Sequence, residues 1–211
     1  ASTLDQAIQL AVDGLLLGLI LALAALGVSL IYGTTGLTNF AHGELVTLGA
    51  LSTYFYSSVL GLPLILSAIA ALITCGILGA VQDRILWKQL RRRGTGLIAM
   101  LVVSIGLGIF LRYLFLFFFG GGTQQFPEYS AQEGLEIGPL AITPKAIIGA
   151  VVAIIAILAS IYWLLRTRTG KASRAVSDNP ALASASGIDV EKVINVVWML
   201  GATLAALAGI L

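Results

Sequence analysis

Charge is scarce in this chain. Asp, Glu, Lys and Arg make up 10% of its 211 residues, where a soluble domain carries about 25%. With 58% of residues hydrophobic, a water-soluble core of this length could not bury the apolar surface. The composition excludes a soluble globular domain and predicts an all-α, polytopic membrane protein. Cysteine is limited to Cys75, inside an apolar run; an intrachain disulfide is excluded, and the thiol reads as a small buried hydrophobe. There is one histidine, His42, with no second His or Cys nearby, which leaves metal or nucleophilic chemistry without a donor set. No GxxxxGKS/T phosphate loop occurs; GGGTQQ at 120–125 is Gly-rich but lacks the lysine. No catalytic residue, metal ligand or cofactor is therefore assigned to this chain. The start, ASTLDQAIQL, lacks the basic residues and small-residue cleavage site of a signal peptide, so the first apolar run reads as a retained span.

What is present is a series of apolar runs at 14–32, 62–81, 97–119, 146–165 and 193–211, each of about the 20 residues that cross a hydrocarbon core of roughly 30 Å. A sixth segment, 45–60, is only moderately apolar and rich in hydroxyls, which predicts a span facing other helices. Gly14 and Gly18, and further on Gly76 and Gly79, offer close packing to a neighbour. The count is about six membrane segments.

One stretch, IYGTTGLTNFAHGELVTLG at 31–49, breaks this pattern. It holds Gly36, Asn39, His42, Gly43 and Glu44. Irregular backbone and ionisable side chains survive in hydrocarbon only where protein or a water-lined cavity satisfies them, so the stretch reads as the entry to a polar translocation path or a helix break beside it. On a regular helix Asn39 and His42 share a face and Glu44 lies about 200° from His42. That spacing predicts Asn39 and His42 lining the path or bracing the break, Gly43 admitting a neighbour, and Glu44 pairing with a donor on another helix or on a partner. Arg112, inside the 97–119 run, either snorkels to the interface or pairs with an acid in the bundle.

Topology follows from charge. The run QDRILWKQLRRRG carries Arg84, Lys88, Arg91, Arg92 and Arg93 against Asp83; the loop after 165 begins with Arg166, Arg168, Lys171 and Arg174. Both read as positive-inside anchors, and neither accompanies a soluble domain that would bind nucleic acid. The 120–145 loop carries Glu128, Glu133 and Glu136 and no cation before Lys145, which places it outside. Its second half predicts a short external β-hairpin around Gly138-Pro139. Three crossings before Arg84 put the N-terminus outside; a re-entrant 39–60 would put it inside.

The second basic loop, 166–192, reads as more than an anchor. Asn179 is an N-cap with Pro180 at the first helical position, Gly187 is a helix-ending glycine, and Asp189 can cap the helix that follows. This predicts a short capped helix of small residues presented to a cytoplasmic partner.

Two separated stretches resemble one family. GLLLGLILALAALGVSLIYGTTGLTNFAHGELVTLGA is similar to the opening of the branched-chain amino acid permeases of the LivH type, whose mark is a Gly-rich break followed by Asn-Phe-Ala-His-Gly-acid, here Asn39 to Glu44. TRTGKASRAVSDNPALASASGIDVEKVINVVWML resembles the loop by which permeases of ATP-binding-cassette (ABC) transporters dock into their ATPase, with Ala181, Leu182, Ala183 and Gly187 at its core and the family's glutamate absent. The resemblance covers essentially the whole chain. It implies one permease domain over 1–211, incomplete at its C-terminal side, with 166–192 as its coupling loop. It implies a multi-pass protein of the bacterial plasma (inner) membrane that moves branched-chain amino acids. The implied partners are two ABC ATPases holding ATP and Mg, a second LivM-like permease or a second copy, an extracytoplasmic substrate-binding protein, and the lipid bilayer. Asn179 to Gly187 would enter the ATPase cleft, with Arg168, Lys171 and Arg174 at its rim. A urea or other small-amide permease is the sister alternative. An ion-coupled carrier or channel using His42 and Glu44 would not need the capped helix, and an intramembrane enzyme lacks the donor set.

Overall fold

The computed structural model describes residues 3–37, 39–61, 63–94, 96–120, 135–137, 140–142 and 144–211. The first helix, α1 (Thr3–Thr35), is one continuous apolar rod, about 50 Å long at 1.5 Å per residue. It stops at Gly36, whose φ of 71° is open to glycine at no steric cost. The Gly36 amide still donates to the Tyr32 carbonyl at 2.7 Å. Helix α2 (His42–Tyr54) ends in a π-helical turn, Phe55–Val59. Helix α3 (Leu64–Gln82) likewise passes through a π turn, Asp83–Trp87, into α4 (Lys88–Arg92). Then come α5 (Leu97–Phe119), the strands β1 (Leu135–Ile137) and β2 (Leu140–Ile142), and helices α6 (Pro144–Arg166), α7 (Arg168–Asp178), α8 (Pro180–Ala185) and α9 (Val190–Ile210). The strands pair antiparallel with Glu136 opposite Ala141. The predicted Gly138-Pro139 turn, Glu128 and Glu133 lie outside the described residues.

Helix α9 is the axis of the bundle, and its small residues explain why. Gly201, Ala202, Ala205, Ala206 and Ala208 are buried along it, and without long side chains the neighbouring backbones come into contact. A Cβ on Gly27 of α1 would lie 2.7 Å from the Gly201 carbonyl oxygen, and one on Gly76 of α3 would lie 2.8 Å from the Thr203 hydroxyl. On the α2 side, a Cβ on Gly49 would collide with the Ala206 backbone and one on Gly209 with Val46. Gly79 fits the same pattern, with Ala202 and Trp198 against it. Gly14 and Gly18 do not: among the described residues nothing lies within 4 Å of a Cβ at either.

Among the described residues, five helical segments are long and apolar enough to cross a membrane: Thr3–Thr35, Ile65–Arg92, Leu97–Phe119, Ile147–Arg166 and Val190–Ile210. The remaining predicted segment is α2 with its π turn. Its direction is fixed by its neighbour α5. The Phe40 amide donates to the Ser104 hydroxyl at 3.1 Å, Gly108 packs against Ala41, and Glu44, Thr47 and Leu51 face Arg112, Leu116 and Phe119. Residues 39–59 therefore run parallel to α5, away from the end where α1 stops. They run in one direction along α5 without turning back. Helices α1 and α3 both run antiparallel to α9, Leu23 packing with Leu204 and Ala208, and Asn195 reaching the Ala80 carbonyl. The two basic loops thus share one end, and α1 begins at the other.

Candidate functional site

The polar break is built on a turn. Asn39 precedes α2; its side-chain oxygen accepts from the Ala41 amide at 3.0 Å, and its carbonyl accepts from the His42 amide at 3.2 Å. Such an Asx turn offers the backbone an alternative to a helical hydrogen bond. The helical spacing assumed for Asn39 and His42 does not apply, since α2 starts at His42. The turn nevertheless buries both side chains. His42 Nε2 lies 3.0 Å from the Ala24 carbonyl oxygen; a carbonyl only accepts, so that nitrogen donates. The imidazole ties the start of α2 to α1, resting against Gly27. Glu44 points away from this contact, into a cleft between α2 and α5. Among the described residues nothing lies within 4 Å of a Cβ on Gly43, whereas Gly49 packs directly against the Ala206 backbone.

The cleft holds ≈ 350 Å³ and is lined by Glu44, Thr47 and Leu51 of α2 and by Arg112, Phe115, Leu116, Phe119 and Gly120. It lies toward the C-terminal end of α5. Glu44 and Arg112 form no ion pair among the described residues. Each was visible in the sequence as an ionisable residue in an apolar segment; their common cleft required the parallel packing of α2 on α5.

At the basic end, α8 is capped at both termini. The Asn179 side-chain oxygen accepts from the Leu182 amide at 3.1 Å, and Pro180 opens the helix. Gly187, with φ of 95°, closes it: its amide donates to Ser184 and that of Ile188 to Ala183, both at 3.1 Å. This is a Schellman ending, with Ile188 and Ala183 in the same apolar cluster. Ala183 is buried and is therefore the seat of α8; Ala181 and Leu182 are exposed, Leu182 at 62%. Asp189 caps α9 through the Lys192 amide at 3.3 Å. Of the three cations predicted at the rim, Arg168 and Lys171 are exposed. Arg174 is exposed as well and donates to the carbonyls of Leu164 and Leu165 at 3.1 and 3.4 Å, covering the C-terminal end of α6. Helix α7 packs there through Gly170, which has no room for a side chain beside Trp163 and Leu164.

Beneath α8 lies a charge cluster that sequence reading missed. Asp83, fully buried, is 2.9 Å from Arg91. Arg91 also donates to Glu191 at 2.8 Å, and Asn195 donates to Asp83 at 3.0 Å. The π turn swings Asp83 inward onto α9 and stacks Trp87 on Trp198, centroids 5.8 Å apart. The available signal was Asp83 itself, one acid in a run of cations. The cluster joins α4 to the helix that follows α8. No group of three or more metal-ligating side chains occurs among the described residues.

Sequence comparison identifies relatives of the chain. The family model described as the permease component of branched-chain amino acid transport systems matches residues 10–211. The high-affinity branched-chain amino acid transport permease LivH of Salmonella typhimurium is 29% identical, over 94% of this chain and 68% of that protein. BraD, the corresponding permease of Pseudomonas aeruginosa, is 28% identical over 97% and 70%. The probable LivH permease of Methanocaldococcus jannaschii is 27% identical over 90% and 61%. No solved structure matches the chain at a significant level. This multi-pass membrane protein belongs to the family of permease components of branched-chain amino acid transport systems.

Proposed function

We propose that the chain is a translocation subunit of an ATP-binding-cassette importer for branched-chain amino acids in the plasma membrane, the inner membrane of a bacterium. The observation that supports this best is α8. It is short, capped at both ends, seated by Ala183 on the bundle, and presents Ala181 and Leu182 outward between two traverses. Two membrane helices can be joined by a bare turn; a rigid knob serves a partner. On this reading the partner is a cytoplasmic ATPase, which holds the ATP and Mg that this chain has no motif to bind. The basic loops then lie in the cytoplasm, and the N-terminus and the β1–β2 pair lie outside. An extracytoplasmic binding protein delivers cargo to the outer end, and a second permease, LivM-like or a copy of this one, supplies the other wall of the path. Asn39 and His42 brace the break beside the path, and Glu44 faces it.

ATP-driven closure of the ATPase pair would push on α8. The push passes into α9 through Asp189 and on into α4 through the Arg91–Glu191 contact. The test is reconstitution in vesicles with the neighbouring ATPase, permease and binding-protein subunits. Leucine uptake that requires ATP and is competed by isoleucine and valine but not by urea is the expected result. Competition by urea would transfer the protein to the sister substrate. Uptake that persists without the ATPases would favour an ion-coupled carrier and overturn the reading.

A further inference from the structure

The geometry points to the α2–α5 cleft as an outer subsite for the zwitterionic head of the amino acid cargo, with Glu44 facing the ammonium and Arg112 the carboxylate. This rests on the transport reading and adds residues to it. Arg112 lies seven residues before the end of α5, roughly 10 Å into the helix. Glu44 lies in the first turn of α2 and faces the same space. Both ionisable side chains sit within segments that traverse the membrane, where such groups mark a substrate pathway or a polar cavity. Two opposite charges that line one cleft yet form no ion pair between them leave room for a ligand carrying both charges. A guanidinium offers a planar fork that fits a carboxylate bidentately; a carboxylate accepts from an ammonium.

The remaining walls fit the rest of such a molecule. Leu51, Phe115, Leu116 and Phe119 supply an apolar surface for a branched aliphatic tail. The Thr47 hydroxyl is directed to the Gly43 carbonyl at 3.2 Å and needs no ligand. A volume of ≈ 350 Å³ lies at the small end of the roughly 300–1,000 Å³ typical of ligand pockets. The cleft lies toward the C-terminal end of α5, the end opposite α8, where cargo from an external binding protein would arrive. Being open on one side, it holds cargo weakly, as a transit site must.

The experiment places a thiol in the cleft. Thr47→Cys is made in a Cys75→Ser background, the full assembly is reconstituted in vesicles, and maleimide modification of this chain is followed by mass. Leucine at tens of millimolar is expected to slow modification at least about threefold. Leucinamide, which lacks the carboxylate, and 4-methylpentanoate, which lacks the ammonium, are expected not to. Arg112→Gln and Glu44→Gln should each abolish protection by leucine. Should Arg112→Gln fail to assemble, Arg112→Lys keeps the charge without the fork and should need about tenfold more leucine for the same protection, the equivalent of one lost charged hydrogen bond. Absence of protection, equal protection by the two analogues, or protection that survives Arg112→Gln or is unaltered in Arg112→Lys would overturn the subsite. Slower modification brought about by ethanolamine phospholipid alone would overturn it too, since a lipid head carries the same pair of charges. ATP-driven leucine uptake by the unsubstituted assembly is measured alongside. Its absence refutes the transport reading; its presence with an unprotected thiol refutes only the cleft.

Discussion

At the scale of single residues, the bundle depends on places where a side chain is missing. Gly49 and Gly43 lie six positions apart in α2, yet only Gly49 touches another backbone. Gly49→Ala forces α2 away from Ala206, and overpacking of this kind costs roughly 1–3 kcal/mol. Gly43→Ala meets open space and gains up to about 1 kcal/mol of helix propensity. The expected outcome is a lowered unfolding midpoint in mixed micelles for Gly49→Ala and an unchanged or raised one for Gly43→Ala; equal effects would refute the packing account. Asp83 makes the complementary case. Arg91→Met leaves its fully buried carboxylate with Asn195 as its remaining hydrogen-bond partner, and breaking a buried pair from one side costs roughly 3–5 kcal/mol. Because Trp87 stacks on Trp198 beside it, the loss should appear as an earlier transition in tryptophan fluorescence during denaturant titration.

At the scale of elements, α8 shows how six residues hold a shape that an isolated helix of that length would not. Both ends are closed by specific hydrogen bonds, and Ala183 anchors the middle. Gly187→Val puts a β-branched residue at a φ of 95°, a strain of roughly 1–3 kcal/mol confined to the end of the knob. Membrane insertion should be intact while uptake falls relative to ATP hydrolysis; normal uptake in reconstituted vesicles would count against the coupling role. Leu182→Glu tests the face rather than the frame. The side chain is exposed and carries no part of the bundle core, so stability should be unchanged while ATPase association weakens at least about tenfold, one buried apolar contact's worth. Co-purification of ATPase in undiminished yield would exclude Leu182 from the interface.

At the scale of the whole molecule, the five helical segments long enough to cross a membrane and the α2 segment alternate in direction, and both basic loops meet at one end. Single cysteines in a Cys75→Ser background, replacing Thr3 or Arg93, should react with an impermeant maleimide from opposite sides of the membrane. Labelling of both from one side would require residues 39–59 to turn back, against their parallel run along α5. The charge pattern had already paired the loops at 84–93 and 166–174, and the apolar runs had marked five of the traverses. The break within 31–49 and the caps of α8 and α9 were equally legible, since a Gly-rich interruption, an Asn-Pro helix start and an Asp N-cap are local chemistry, although α1 runs on to Thr35, past the expected end at 32.

What sequence by itself determined is thus the membrane class, the positions of the traverses, the side on which the cations gather, and the capped helix between α7 and α9. Each depends on composition or on hydrogen bonds among neighbours in the chain. What only the tertiary structure decided is which glycines pack, where Asp83 and Arg91 turn, that His42 is tied to the Ala24 carbonyl, and that Glu44 and Arg112 line one cleft. These are contacts between residues far apart in sequence. They follow from the small-residue face of α9, which draws α1, α2 and α3 together, and from the run of irregular backbone that lays α2 parallel to α5. No periodicity in a single segment encodes which partner it will meet.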